Sequence, residues 1–271
     1  SGPYAHAAAS ISRTMLLVML ALLPATLFGV YAYGWPALNL LLVTVAAAVF
    51  AEATCLKIAG RPLKPFLTDG SAVLTGWLLA LTLPPWAPWW IGVTGSVFAI
   101  VVAKQVFGGI GQNLFNPAMV ARVALLIAFP LEMTTFVTPK PLFSGDAPDF
   151  LQGLSITFGN QPQVDIVSSA STLGHVKTEI SQGGVLADAL ASVFDLATSF
   201  IGYIPGSLGE TSALLILLGG LYLLYKRIIT WHIPVSMIGS LLLLATLFRW
   251  LYPDTYPGPL VHLLSGATLL G

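Results

Sequence analysis

Long apolar stretches separated by short polar breaks dominate the first half of this sequence. A helix needs about 20 apolar residues to cross the hydrocarbon core of a bilayer. Residues 15–33 form one such stretch, opening just after Arg13, and residues 37–56 form a second that ends at Lys57. A basic loop with Lys57, Arg61 and Lys64 follows. A shorter run at 70–84 stops at Leu83-Pro84-Pro85-Trp86, and 89–106 is the fourth. The sequence Gly108-Gly-Ile-Gly111-Gln-Asn113-Leu-Phe-Asn116-Pro117 breaks the pattern before a fifth run at 117–131. Residues 132–184 are mostly polar. Residues 185–204 are apolar but carry Asp188 and Asp195, which predicts an interfacial or partly embedded helix, a sixth span being the alternative. Clear spans resume at 211–225 and 231–250, and 259–271 begins another.

This pattern predicts an all-α polytopic integral membrane protein with about 8–10 transmembrane helices, short or broken ones included. It divides into a transmembrane bundle (1–131), an extracytoplasmic loop region with an interfacial helix (132–204) and further transmembrane helices (205–271). The first residue is Ser, and the chain stops at Gly271 inside an apolar run. Both ends are therefore expected to be cut, with a final helix incomplete or missing.

Composition agrees. Of 271 residues, 56% are hydrophobic and 8% charged, whereas soluble domains carry about 25% charged residues. So few charges cannot cover a water-facing surface. A net charge of zero argues against a nucleic-acid partner. The single cysteine, Cys55, lies in an apolar run and reads as a small buried hydrophobe. His6, His175, His232 and His262 are scattered, and no Cys/His group has metal-ligand spacing; no metal is expected.

Lysine and arginine orient the spans. With the N-terminus in the cytoplasm, Arg13, Lys57, Arg61, Lys64, Lys104, Lys226 and Arg227 fall inside, and only Lys140, Lys177 and Arg249 outside. That bias requires 185–204 not to cross, and puts the 132–184 loop on the outer, periplasmic side of a bacterial inner membrane. Trp35, Trp86, Trp89, Trp90 and Trp250 sit near span ends on that side, as interface aromatics do. The short runs 70–84 and 117–131 have Gly or Pro at their cytoplasmic mouths. Paired short, interrupted segments point to helices that break inside the membrane around a site.

Within the polar loop runs Asp165-x-x-Ser168-x-Ala170-Ser171. Alone it is an ordinary string of turn-formers, but its small residues leave a hydroxyl open to modification. The Gly108–Pro117 break offers two amides, Asn113 and Asn116, and a proline suited to a helix start; a capping turn is the bland alternative. Trp77, Phe107 and Phe115 could stack on an aromatic ring or simply pack. Arg122, inside an apolar helix, is either functional or snorkels to the cytoplasmic surface. Asp69-Gly70-Ser71 and Gly206–Ser212 read as helix caps. Glu52 reads as packing against Lys57, with cation handling as the other possibility. Ser265-Gly-Ala-Thr268 mimics an acceptor tetrapeptide, but with His262 six residues before Thr268 and leucines around it, close helix packing explains it better.

Four ordered stretches then carry a resemblance over nearly the whole chain: Gly111–Met119, Asp165–Ser171, 204–213 and Leu221–Pro234. Together they resemble the RnfD/NqrB family, the D subunits of Rnf ion-translocating electron-transport complexes and their relatives in the sodium-pumping NADH:quinone reductase. The Lys226–Pro234 stretch and the brevity of the N-terminus favour the RnfD side. The resemblance implies a urea-transporter-like fold of two five-helix repeats. It implies FMN held as a phosphoester on the extracytoplasmic loop, placed there by a flavin transferase. The family's acceptor is usually Thr; the matching position here is Ser171, with Asp165, Ser168 and Ala170 completing the motif and Thr172 the second choice. It further implies a non-covalent riboflavin, to be sought near Asn113, Asn116 and Lys64. The expected partners are the A, B, C, E and G proteins of the Rnf complex and the lipid bilayer. The expected activity is that of a flavoprotein component in a translocase coupling ferredoxin:NAD electron transfer to Na⁺ or H⁺ movement. A channel or transporter on the same scaffold without flavin, or a structural component that has lost it, are the competing readings.

Overall fold

The computed structural model describes residues 10–159, 172–203, 205–253 and 255–264, and all regular structure among them is helical. Helices α1 (Ile11–Tyr33) and α2 (Trp35–Ile58) form a hairpin closed by Gly34 alone, whose φ of 74° lies where glycine is favoured. Pro36 then starts α2, where its missing N–H costs nothing. After α3 (Leu63–Leu67) come α4 (Ser71–Thr82), α5 (Trp89–Val97), a π-helix continuing it (Phe98–Gln105), α6 (Pro117–Ala128) and α7 (Pro130–Thr134). Then follow α8 (Phe150–Phe158), α9 (Thr172–Ser181), α10 (Leu186–Val193), α11 (Leu196–Ile201), α12 (Ala213–Tyr225), α13 (His232–Leu251) and α14 (Pro259–Leu264).

Among the described residues, α1, α2 and α13 are long and apolar enough to cross a membrane unaided; α5 with its π-helix, α6 and α12 are apolar but shorter. The short runs expected at 70–84 and 117–131 are α4 and α6, which stop after 12 residues each, and α12 stops after 13. At 1.5 Å per residue these cover only about 20 Å. The apolar stretch at 185–204 holds two short helices, α10 and α11, each too short to cross.

α2 is the hub. It packs against α4, α5, the π-helix and α8, and small residues make this possible. A Cβ on Gly76 would stand 2.8 Å from the Val45 Cα, and one on Gly92 would stand 2.3 Å from the Thr44 hydroxyl. The core behind them is Leu40, Leu79, Leu83, Ile91, Ala99, Ala118, Ala121 and Leu125. Alanines let helix backbones approach where lipid supplies no hydrophobic drive between helices.

The loops sort to two ends. At one, Arg61 donates to the Gly108 carbonyl (3.2 Å) and Ser12 to that of Thr68 (3.4 Å). At the other, the Trp86 indole donates to the Tyr33 carbonyl (3.0 Å) and the Leu142 N–H to that of Tyr31 (2.7 Å). Lys140 lies over the Trp86 ring there, and Trp35 meets Phe150 edge-on. Arg61 thus stands at one end and Lys140 at the other.

Candidate functional site

Four places are candidates for chemistry. The first is the hydroxyl-rich loop. Asp165, Ser168, Ala170 and Ser171 lie outside the described residues, as does Thr268. Thr172 is the first residue of α9. The loop leaves from α8, which the Asp149/Gln152 capping box starts and whose Gly153 lies against Trp35. Trp89 stacks on Phe158 at its far end. α8 thus lies at the end of the bundle that carries Trp35, Trp86 and Trp89.

The second is the turn between the π-helix and α6. Gly108, Gly109 and Gly111 all take positive φ, and a Cβ on Gly109 or Gly111 would meet nothing within 4 Å. These glycines serve the path of the chain, not close packing. The Asn113 amide donates to the Phe115 carbonyl (2.9 Å), and the Asn116 oxygen accepts from the Ala118 N–H (3.0 Å), capping α6. Half of each amide is therefore committed to the turn itself. Oδ1 of Asn113 and Nδ2 of Asn116 make no hydrogen bond among the described residues, so the donor set still fits a ligand with both acceptor and donor edges. Leu114 and Phe115 are exposed beside them, and Lys64 is exposed on α3, tied to this turn through the Arg61–Gly108 bond. Trp77 is elsewhere: its indole donates to the Thr26 hydroxyl (2.8 Å) between α4 and α1, so it takes no part in stacking at the turn.

The third place is a buried ion pair. Glu52 does not pack on Lys57. Its Oε2 accepts from Lys104 (2.9 Å) and its Oε1 from Gln105 (2.7 Å), while Lys104 also donates to the Ser71 hydroxyl (2.8 Å). Side-chain exposure is 3% for Lys104 and 2% for Glu52. Burying two charges is tolerable only with such extra hydrogen bonds. The positive-inside count takes Lys104, near the end of the 89–106 run, as a cytoplasmic-side charge. It belongs to the interior instead, because the π-helix continues past α5 far enough to carry it back onto α2. Two opposite charges inside the second and fourth apolar runs were the available signal.

The fourth place is where the non-helical 205–212 segment crosses the C-terminal end of α4. The N–H groups of Leu208 and Gly209 donate to the carbonyls of Leu83 (3.2 Å) and Leu81 (2.7 Å). The 205–212 segment thereby satisfies carbonyls that the end of α4 leaves over. Tyr33 clamps it: its hydroxyl donates to the Gly206 carbonyl (3.3 Å) and accepts from the Gly206 N–H (3.2 Å). Arg122 does not snorkel; it donates to Glu210 at 3.1 Å, tying α6 to this segment. Ser207 is fully buried here with its hydroxyl unpartnered among the described residues. Glu210, which the sequence reading takes as part of a cap, is the partner that reading missed. Broken segments crossing inside an apolar bundle and presenting charges are how membrane proteins build embedded sites. Among the described residues no group of His, Cys, Asp and Glu could hold a metal ion.

Comparison with known proteins identifies the family. The NQR2, RnfD, RnfE family model matches residues 1–271. A Rhodobacter capsulatus protein, named as the D subunit of an ion-translocating oxidoreductase complex, is 54% identical over 270 residues, covering all of this chain and 75% of its own length. A protein of the same name from Stutzerimonas stutzeri is 57% identical over 262 residues, covering 97% of this chain and 74% of its own. One from Halorhodospira halophila is 54% identical over 270 residues, covering all of this chain and 76% of its own.

Proposed function

The chain belongs to the NQR2, RnfD, RnfE family, and we propose that it is the flavin-carrying membrane component, the D subunit, of an ion-translocating oxidoreductase complex. The observation that supports this best is identity above 50% with three D-subunit proteins over essentially the whole chain, hydroxyl-rich loop included. FMN is held as a phosphoester on Ser171, with Thr172 as the second candidate, and supplies a redox ring able to accept and pass electrons. The chain's own residues do the rest. α8, anchored by its capping box and by Gly153 on Trp35, holds the acceptor loop at one end of the bundle. The Gly108–Asn116 turn, with the free amide atoms of Asn113 and Asn116 and the nearby Lys64, offers a second, non-covalent site for a riboflavin at the other end.

In this reading the first end is periplasmic and the second cytoplasmic, in a bacterial inner membrane. The complex couples ferredoxin:NAD electron transfer to Na⁺ or H⁺ movement, with the A, B, C, E and G proteins of the complex as partners and a flavin transferase for maturation. Peptide mass spectrometry of the isolated complex tests the attachment. The peptide containing residues 161–177 is expected to carry the mass of FMN less water, and Ser171→Ala to abolish it while Ser171→Thr preserves it. An adduct on the 259–271 peptide, or none at all, would overturn the assignment.

A further inference from the structure

The structure assigns Glu52 a positioning role: it holds the segment after α5 in its π form and so sets the register of the Gly108–Asn116 turn. The functional weight of that turn rests on the flavin site proposed above; the positioning itself does not. A π-helix closes i→i+5 bonds, is rare, and mostly appears as a single turn within an α-helix, often at functional sites. Here it runs eight residues, Phe98-Ala-Ile-Val-Val-Ala-Lys-Gln105, with no Gly or Pro to force it. Local sequence therefore does not explain the wide form, and a tertiary contact must hold it.

That contact lies at its last two residues. Lys104 and Gln105 are adjacent in sequence, yet both donate to one carboxylate, at 2.9 and 2.7 Å. Neighbours in an α-helix diverge by about 100° and address different partners. The wider turn reduces that angle and lets both converge on Glu52. Two i→i+5 bonds reach toward the turn, from the Val106 N–H to the Val101 carbonyl (3.0 Å) and from the Gly109 N–H to that of Lys104 (3.1 Å), while the Gly108 N–H closes a tighter bond on the Gln105 carbonyl (3.0 Å). If Glu52 loses its charge or changes partner, the convergence of Lys104 and Gln105 on it is lost, and with it the contact that holds the wide form at this end. Relaxation to an α-helix displaces everything after Gln105 by about one residue, roughly 1.5 Å along the axis and about 100° around it. Phe107 and Phe115 move with it. A charge on α2 is thereby read out at the end of the bundle.

The test is a cryo-EM map of the intact complex carrying Glu52→Leu/Lys104→Met. This pair removes both charges together, so neither is left stranded in the interior. Residues 98–105 are expected in α form, with Phe107 and Phe115 displaced by about one residue. Gln105→Leu, which removes one donor and no charge, is expected to relax the last turn alone, and it decides the matter if the double variant does not assemble. Ser71→Ala cuts a Lys104 bond without touching Glu52 and is expected to keep the π-helix. A π-helix retained in the double variant and in Gln105→Leu overturns the proposal, and so does equal relaxation in Ser71→Ala. The readout is backbone register, so a turn that binds no flavin would sink the flavin assignment and leave this one standing.

Discussion

Substituting Gly29 by Ala adds one methyl group where α1 meets the 205–212 segment. The new Cβ would stand 2.3 Å from the Leu208 carbonyl oxygen and 3.0 Å from the Leu208 Cδ1. Ordinary contacts begin near 3.4 Å, so the carbonyl must retreat by about 1 Å. It is backbone, and the same residue's N–H holds Leu83 at 3.2 Å while the next N–H holds Leu81 at 2.7 Å. A shift of that size breaks the longer bond. Overpacking a tight site costs about 1–3 kcal/mol, and leaving a buried backbone group unpaired costs about 1–3 kcal/mol more. The expected loss is about 3 kcal/mol. Gly220→Ala is the control: it adds the same methyl to α12, where nothing lies within 4 Å. There the helix gains up to about 1 kcal/mol. Size-exclusion of the heated, detergent-solubilised protein reads the difference. At about 2–4 °C per kcal/mol for a chain of this order, Gly29→Ala is expected to melt about 10 °C below Gly220→Ala. Indistinguishable melting of the two variants would refute the docking of this segment against α1.

With the native Cys55 replaced by Ser, an impermeant thiol reagent on spheroplasts is expected to label Lys177→Cys but neither Arg61→Cys nor Arg227→Cys; the opposite pattern reverses the orientation. Arg122→Met leaves the Glu210 carboxylate unpaired and should cost about 2 kcal/mol in thermal stability, whereas Glu210→Gln keeps an oxygen facing Arg122 and should cost less; equal losses would mean the pair is not an energetic tie. Asn113→Leu with Asn116→Ser keeps the α6 cap through the serine hydroxyl but removes both free amide atoms. It is expected to lower non-covalent flavin in the complex while the Ser171 adduct stays, and unchanged flavin would exclude the turn as its site.

Apolar run length and the Gly, Pro and charged breaks are local properties, and they suffice to say that the chain is a helical membrane protein and where most helices lie. α1, α2, α12 and α13 begin and end within a few residues of those marks. Family membership is legible as well, since the family model matches residues 1–271. Three things are not. Glu52 reads against Lys57 because both lie on one helix, but burial leaves a charge only the partners that packing brings, and these are Lys104 and Gln105, with Ser71 behind Lys104. Arg122 reads as reaching for the surface because no counter-charge is near it in sequence; Glu210 is 88 residues away. The π-helix is invisible in an ordinary apolar run, since nothing local demands it. In an apolar bundle with few charges, hydropathy places the helices, but the partner of each buried charge is chosen by which backbones lie close enough. That proximity exists only once Gly76, Gly92 and Gly29 have let the helices and the 205–212 segment close on one another.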